Sequence, residues 1–214
     1  MKYIIMAGGN YKKWETPRQL IEIKGEPLIA RTIRQLNENG VEDIAISSNN
    51  AEFEKFGVPV LNHENGYVAY EYNVCEGLWA EAFYPMDEPV CYIFGDVVFS
   101  NKAIKKIVQT ETKNIEFFAS APPFDGKYIK RWAEPFALKV VDTKRFKSCL
   151  YINKLFYEMG VFAREPIMWE LWQIIKKTPI NIIDYTNYVA IKDWTCDVDS
   201  PEDAAKIEGV MNES

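Results

Sequence analysis

Two acidic segments carry the residue types best suited to chemistry in this sequence. Asp96 follows the apolar run Val90-Cys91-Tyr92-Ile93-Phe94 and Gly95, and Asp199 closes Asp197-Val198-Asp199 near the C-terminus. A carboxylate placed directly after an interior strand needs a partner, because an unpaired charge beside a core is costly. Two carboxylates converging from separate strands would suit Mg2+, which takes one or two carboxylates and completes its shell with water and substrate phosphate oxygens. Asp197 is the substitute ligand in that scheme. For Asp199 another role stays open, since an aspartate just ahead of a helix is also a favourable helix-end charge.

The second group lies near the N-terminus, where Ala7-Gly8-Gly9-Asn10 is followed by Lys12, Lys13 and Arg18. Glycines let backbone N–H groups approach phosphate or base atoms that a side chain would block. Three cations beside such a turn would clamp a triphosphate. Taken singly, the glycines also describe an ordinary tight turn and the cations a solvated loop. No Gly-x-x-x-x-Gly-Lys-Ser/Thr loop and no Ser-His-Asp set is present, and the single histidine, His63, reads as a surface or core residue. If the attacking group is a substrate phosphate, already anionic at neutral pH, no general base is needed. Positioning and charge neutralisation can then do nearly all the catalysis. Together the two groups point to phosphoryl or nucleotidyl transfer.

The elements that must position these residues alternate between strand and helix. Tyr3–Ala7, Asp43–Ser47, Val58–Leu61 and Val90–Phe94 read as strands. Pro27–Leu36 reads as a helix, with Ile29, Ile33 and Leu36 on one face and Gly40 as its stop. A second helix is expected from Tyr70 to Phe83, interrupted by Gly77, and Ser100 caps a third. Ile115–Ala121 and Phe136–Val141 are further strands, separated by a turn-rich segment. Glu165-Pro166 begins an amphipathic helix through Ile175. Tyr188–Ile191 is strand-like, and Ser200 with Asp203 resembles a capping box. This alternation implies an α/β fold whose parallel sheet carries helices on both faces, with ligands beyond the carboxyl ends of the strands.

Composition narrows the class further. A hydrophobic content of 48% supports a packed core. A net charge of −6 argues against nucleic acid as the main partner. The opening apolar stretch is too short for a signal-peptide core, and no apolar run approaches the roughly 20 residues of a membrane span. A cytoplasmic protein with no membrane partner is therefore expected. Cys75, Cys91, Cys149 and Cys196 form no C-x-x-C pair and read as small buried hydrophobes.

These residues resemble the sugar-phosphate and alcohol-phosphate nucleotidyltransferases of the glycosyltransferase-A-like fold. Met6-Ala7-Gly8-Gly9 is similar to the opening of their signature loop. Pro17-Arg18-Gln19-Leu20, Gly25-Glu26-Pro27-Leu28-Ile29 and Arg31-Thr32 are similar to the segments that follow it. Ile93-Phe94-Gly95-Asp96-Val97 resembles the central metal aspartate motif, and Tyr157–Phe162 the strand that lines the substrate side. Asp197–Asp203 resembles the closing motif.

The resemblance implies a Rossmann-like three-layer sandwich with a mixed, mostly parallel sheet. It implies one domain over residues 1–214, with a nucleotide-binding half to about 121 and an acceptor-binding half beyond. Ala7, Gly8, Gly9, Asn10, Lys12 and Lys13 would bind the nucleotide, and Asn73 its base or sugar. Arg18 would contact the phosphates, while Asp96 and Asp199 hold Mg2+. The reaction implied joins an NTP, CTP or UTP first, to a sugar phosphate or phospho-alcohol with release of pyrophosphate.

The sequence departs from the family where a Gly-x-Gly-x-Arg loop is usual, since it reads Asn10-Tyr11-Lys12-Lys13-Trp14-Glu15-Thr16. Arg18 also stands where lysine is usual. Two other functions fit the same residues. Asp197-Val198-Asp199 also spells the metal motif of a glycosyltransferase, although its place near the C-terminus counts against this. The altered loop would suit a non-catalytic nucleotide-binding regulator. Tyr128, Trp132 and Trp194 could stack a base or sugar, enclose a quaternary amine, or simply belong to the core or rim. A homodimer is left open.

Overall fold

Strands apolar on both faces belong in the middle of a covered sheet, and the apolar runs of the N-terminal half lie there. The computed structural model describes residues 1–8, 10–11, 16–64, 66–71, 74–124 and 128–213. In chain order the first strands are β1 (Lys2–Met6), β2 (Asn10–Tyr11), β3 (Glu22–Ile23), β4 (Glu26–Pro27), β5 (Ile44–Ser47), β6 (Val60–Leu61), β7 (Val68–Glu71) and β8 (Val74–Glu76). They are followed by β9 (Val90–Phe94), β10 (Val97–Val98), β11 (Ile115–Ser120), β12 (Glu134–Val140), β13 (Val189–Ala190) and β14 (Cys196–Asp197). The helices are α1 (Leu28–Glu38), α2 (Asn101–Gln109), α3 (Thr143–Glu158), α4 (Met168–Lys176) and α5 (Pro201–Glu213).

The main sheet runs β13-β11-β12-β9-β1-β5-β6. β9, β1, β5 and β6 are mutually parallel, and β13 is parallel to β11. β12 is antiparallel to both β11 and β9. The sheet is thus mixed and mostly parallel, as expected. Its rows show how both faces are covered. Phe117, Leu138 and Tyr92 stand in register, and Phe117 meets Trp169 and Trp172 of α4 while Tyr92 meets Phe146 of α3. The adjacent row of Glu116, Lys139 and Cys91 points the other way. There the Lys139 ammonium donates to the carbonyls of Ile107 and Thr110 at the end of α2, at 2.8 and 2.7 Å.

α1 buries Leu28, Ile29, Thr32, Ile33 and Leu36 along one stripe. Ser100 caps α2, its hydroxyl accepting from the Ala103 N–H at 2.9 Å.

Three expectations are corrected. The helix expected over Tyr70–Phe83 is instead the antiparallel pair β7–β8 followed by a short 3-10 turn, Trp79–Ala82. Gly77 is the cause. It sits at φ +79°, and a Cβ there would lie 2.2 Å from the Gly66 carbonyl oxygen, so the backbone closes on itself where a helix would have to continue. The substrate-side strand over Tyr157–Phe162 is absent, because α3 runs to Glu158 and the chain turns at Gly160, φ +65°. α4 begins at Met168 rather than at Glu165-Pro166. Its first turn is set by the Glu170 carboxylate, which accepts from the Ile167 N–H at 3.0 Å.

Candidate functional site

The site begins where β9 ends. The Gly95 N–H donates to the Met6 carbonyl at 3.0 Å, and a Cβ on Gly95 would lie 2.3 Å from that oxygen. Glycine is therefore what lets the ends of β9 and β1 close, and it delivers Asp96 beside the turn that leaves β1. From there β10 pairs with β14, Val97 opposite Asp197 and Val98 opposite Cys196, and the Val198 N–H donates to the Asp96 carbonyl at 2.9 Å. This short ladder joins the central aspartate to the C-terminal one. Alternation does the rest. Cys196 and Val198 point into a small second core with Ile23, Leu28, Val98 and Ile207, which leaves Asp197 and Asp199 on the opposite side.

Arg18 lies between the aspartates. Its side chain is 4% exposed, and one terminal nitrogen is 2.5 Å from Asp96 Oδ2. The other donates to Asp199 Oδ1 at 2.8 Å and to the Val198 carbonyl at 3.0 Å. The planar fork of a guanidinium is suited to bridging two carboxylates in this way. Asp96 and Asp199 are therefore brought together on one guanidinium. Arg18, read from the sequence as part of a phosphate clamp, is directed at them.

A second cation faces the same group. Lys130, from the segment before β12, places its ammonium 2.6 Å from Asp197 Oδ1 and 2.7 Å from Asp199 Oδ2. Asp203 Oδ2 is 3.3 Å away and Glu134 Oε1 3.5 Å. Asp203, in turn, ties the start of α5 to the site. Its N–H donates to Ser200 Oγ and its carboxylate accepts from the Asp199 N–H. The expected cap is thus present, but its acidic arm reaches Asp199 rather than Ser200.

The electrostatics follow from crowding. Burial, then the Asp197 charge, pushes the Glu134 carboxyl up to about 10. Burial and then Asp199 also push Asp197 up, while Glu134 and Lys130 oppose. Burial alone would raise Asp199, but the Lys130 and Arg18 charges outweigh it and hold that carboxyl below its ordinary range. Burial disfavours the Lys130 charge, and Asp197, Asp199 and Glu134 more than restore it. Asp199 is thus an anion held by two cations, with its side chain still 52% exposed.

Hard oxygen donors of this kind fit Mg2+. Among the described residues, no three His, Cys, Asp or Glu side chains form a ready metal cage. Mg2+ needs none, since one or two carboxylates serve when phosphate oxygens and water fill the remaining positions.

At the turn after β1, Ala7 has both backbone groups engaged. Its N–H donates to the Ser47 carbonyl at 3.0 Å and its carbonyl accepts from Ser48 Oγ at 3.1 Å. It therefore fixes the start of the turn, and Gly8 follows, partly exposed. Asn10 pairs through its backbone with Val68. Gly9, Lys12, Lys13 and Asn73 lie outside the described residues.

Of the aromatic candidates, Trp132 is 57% exposed and has the Lys130 ammonium 5.3 Å from its ring centroid. Tyr128 packs edge-on against Phe124, and Trp194 joins the second core. His63 bonds the Glu81 carbonyl and packs on Tyr84. All four cysteines are free, three of them buried. Sequence reasoning missed Lys130, Glu134 and the reach of Asp203. Glu134 carried a signal, for it is a carboxylate at the mouth of an apolar strand just as Asp96 is.

The model of the MobA-like NTP transferase domain family matches residues 3–146. No curated protein matches the chain. Solved structures share its fold over nearly its whole length. A protein from Bacillus anthracis assigned as a glucose-1-phosphate thymidylyltransferase, solved with a sucrose, superposes with a TM-score of 0.61 at 15% identity, over 100% of this chain and 96% of that one. The CTP:phosphocholine cytidylyltransferase of Streptococcus pneumoniae gives 0.52 at 18% identity, over 98% of each chain. The inositol-1-phosphate CTP transferase of T. maritima gives 0.56 at 15% identity, over 97% of this chain and 96% of that one.

Proposed function

Because the chain belongs to the MobA-like NTP transferase domain family, we propose that it joins an NTP, CTP or UTP first, to a small phosphorylated acceptor. The observation that carries this reading is the meeting of Asp96 and Asp199 on one guanidinium beside the turn after β1. An oxygen of the acceptor phosphate attacks the α-phosphorus of the NTP. One P–O bond forms, the bond to the β-phosphate bridge breaks, and pyrophosphate leaves with its electron pair. The acceptor is already an anion, so no side chain need remove a proton.

Asp96 and Asp199, with Asp197 as substitute, would hold Mg2+, which when bound neutralises charge on the phosphates. Arg18, once released from either aspartate, would contact the phosphates. The turn from Ala7 to Asn10, with Lys12 and Lys13, would hold the triphosphate, and Asn73 the base or sugar. Residues 1–121 then form the nucleotide half of a single domain and residues 122–214 the acceptor half. Among the described residues no helix is long and apolar enough to cross a membrane; a cytoplasmic place for the reaction is part of the proposal.

The acceptors named for the similar structures are all phosphate monoesters of small alcohols or sugars, and they set the panel for a test. The four NTPs and dTTP are each incubated with Mg2+ and glucose 1-phosphate, inositol 1-phosphate or phosphocholine, and pyrophosphate is measured. One pairing should release pyrophosphate, and Asp96→Asn should lower its rate about a hundredfold, the effect of losing about 3 kcal/mol of charge stabilisation. Release of nucleoside diphosphate instead would identify a glycosyltransferase. Tight NTP binding with no release across the panel would identify a regulator.

A further inference from the structure

Lys130 sits among its neighbours as a bound cation would. Its ammonium has carboxyl oxygens of Asp197, Asp199, Asp203 and Glu134 at 2.6, 2.7, 3.3 and 3.5 Å, and its side chain is only 4% exposed. An ammonium has three N–H donors, fewer than the carboxyl groups around it, so its hold on the group is electrostatic as much as directional. Trp132 covers it from another side, 5.3 Å from Nζ to the ring centroid. Both oxygens of Asp199 are thereby engaged, Oδ1 by Arg18 and Oδ2 by Lys130. A divalent ion reaching Asp199 in the nucleotide-free protein would therefore meet a carboxylate whose charge is already neutralised.

We propose that Lys130 is a resident counter-cation that keeps free divalent metal from binding tightly, so that the metal enters together with the triphosphate. The inference rests on the reading of Asp96 and Asp199 as metal ligands. It adds a positioning role for a residue outside that pair. With Lys130 in place, Asp197 and Asp199 are held apart and oriented despite their like charges. The triphosphate, bringing its own negative charge, gives Arg18 and Lys130 another anion to face and frees the carboxylates for the metal.

The test is Mn2+ binding to the nucleotide-free protein, followed by electron paramagnetic resonance of the free ion and by the melting temperature across a Mn2+ titration. Wild type should bind weakly and melt at nearly the same temperature with or without Mn2+. Lys130→Met should bind at least about tenfold more tightly, a floor for removing a full positive charge a few ångströms away at an effective dielectric of about 20. Its melting temperature should be lower without metal and recover with it. Lys130→Gln, which keeps a hydrogen-bond donor in the group, should show the same gain, and Lys130→Arg, which keeps the charge, should show none. Adding Asp199→Asn to Lys130→Met should erase the gain.

Equal affinity in wild type and both neutral variants would overturn the proposal, as would a gain that survives Asp199→Asn. Wild-type pyrophosphate release without any gain in Mn2+ affinity would sink this inference alone. A gain without pyrophosphate release on any substrate pair would leave the counter-cation standing and sink nucleotidyl transfer.

Discussion

Glu134 keeps its proton because it is buried, 3% exposed, beside Asp197. Unfolded, it would ionise near its ordinary 4.5, and folded it holds the proton up to about 10. Between those values folding takes up a proton, so this group's contribution to stability is fully present below about pH 4.5 and is lost as pH rises toward 10. Glu134→Gln mimics the protonated form without that loss. It should raise the melting temperature at pH 7 and above, by about 2–4 °C for each kcal/mol gained, with little effect at pH 4.5. Melting curves from pH 4.5 to 9 check this, and a gain that does not grow with pH would mean Glu134 is ionised in the fold. The same crowding explains why residue types alone did not disclose the site's charge balance. Asp96 announced itself by following an apolar strand, and Asp199 by closing the acidic Asp197-Val198-Asp199 segment. Lys130 lies in a turn-rich segment where a lysine ordinarily faces water, and only the tertiary structure turns it onto Asp197 and Asp199.

At the scale of elements, the site depends on two short backbone devices rather than on long helices. One is Gly95, pressed against the Met6 carbonyl, and the other is the β10–β14 ladder. Gly95→Ala would force a methyl to 2.3 Å from the Met6 oxygen, and the ends of β9 and β1 would have to part. Overpacking of this kind costs about 1–3 kcal/mol. A fall of several degrees in melting temperature is expected, with loss of pyrophosphate release as Asp96 shifts. An unchanged melting temperature would show that the two strand ends can separate freely.

Periodicity made the regular elements legible. The apolar runs of β1, β5 and β9 and the stripe of α1 stand where the pattern put them. It failed where a local constraint outweighed pattern. Residues 70–83 carry enough apolar side chains for a helix, yet the approach of Gly77 to Gly66 turns them into a hairpin and a 3-10 turn. α3 carries Tyr151, Ile152 and Leu155 exposed alongside its buried face. A segment apolar on both sides lacks the amphipathic signature by which a helix is read from sequence.

For the whole molecule, the consequence is that an acidic chain can serve anionic substrates. The net charge of −6 would repel a triphosphate, but Arg18 and Lys130 set two positive charges inside the acidic group at the carboxyl end of the sheet. The seven-stranded sheet brings the N-terminal turn and the Asp96 strand together, and α5 with β14 returns the C-terminal aspartates to them. The proposed division into residues 1–121 and 122–214 would place Asp96 in one half and Asp199 in the other. Whether Asp96 and Asp199 share one metal ion is decided by a crystal of the protein with Mn2+ and the α,β-methylene analogue of the active NTP, measured for anomalous scattering. A manganese peak is expected in contact with carboxylate oxygens of both Asp96 and Asp199 and with the triphosphate, beside the turn after β1. A peak bound to the triphosphate but touching neither aspartate, with Arg18 still bridging the two, would contradict it.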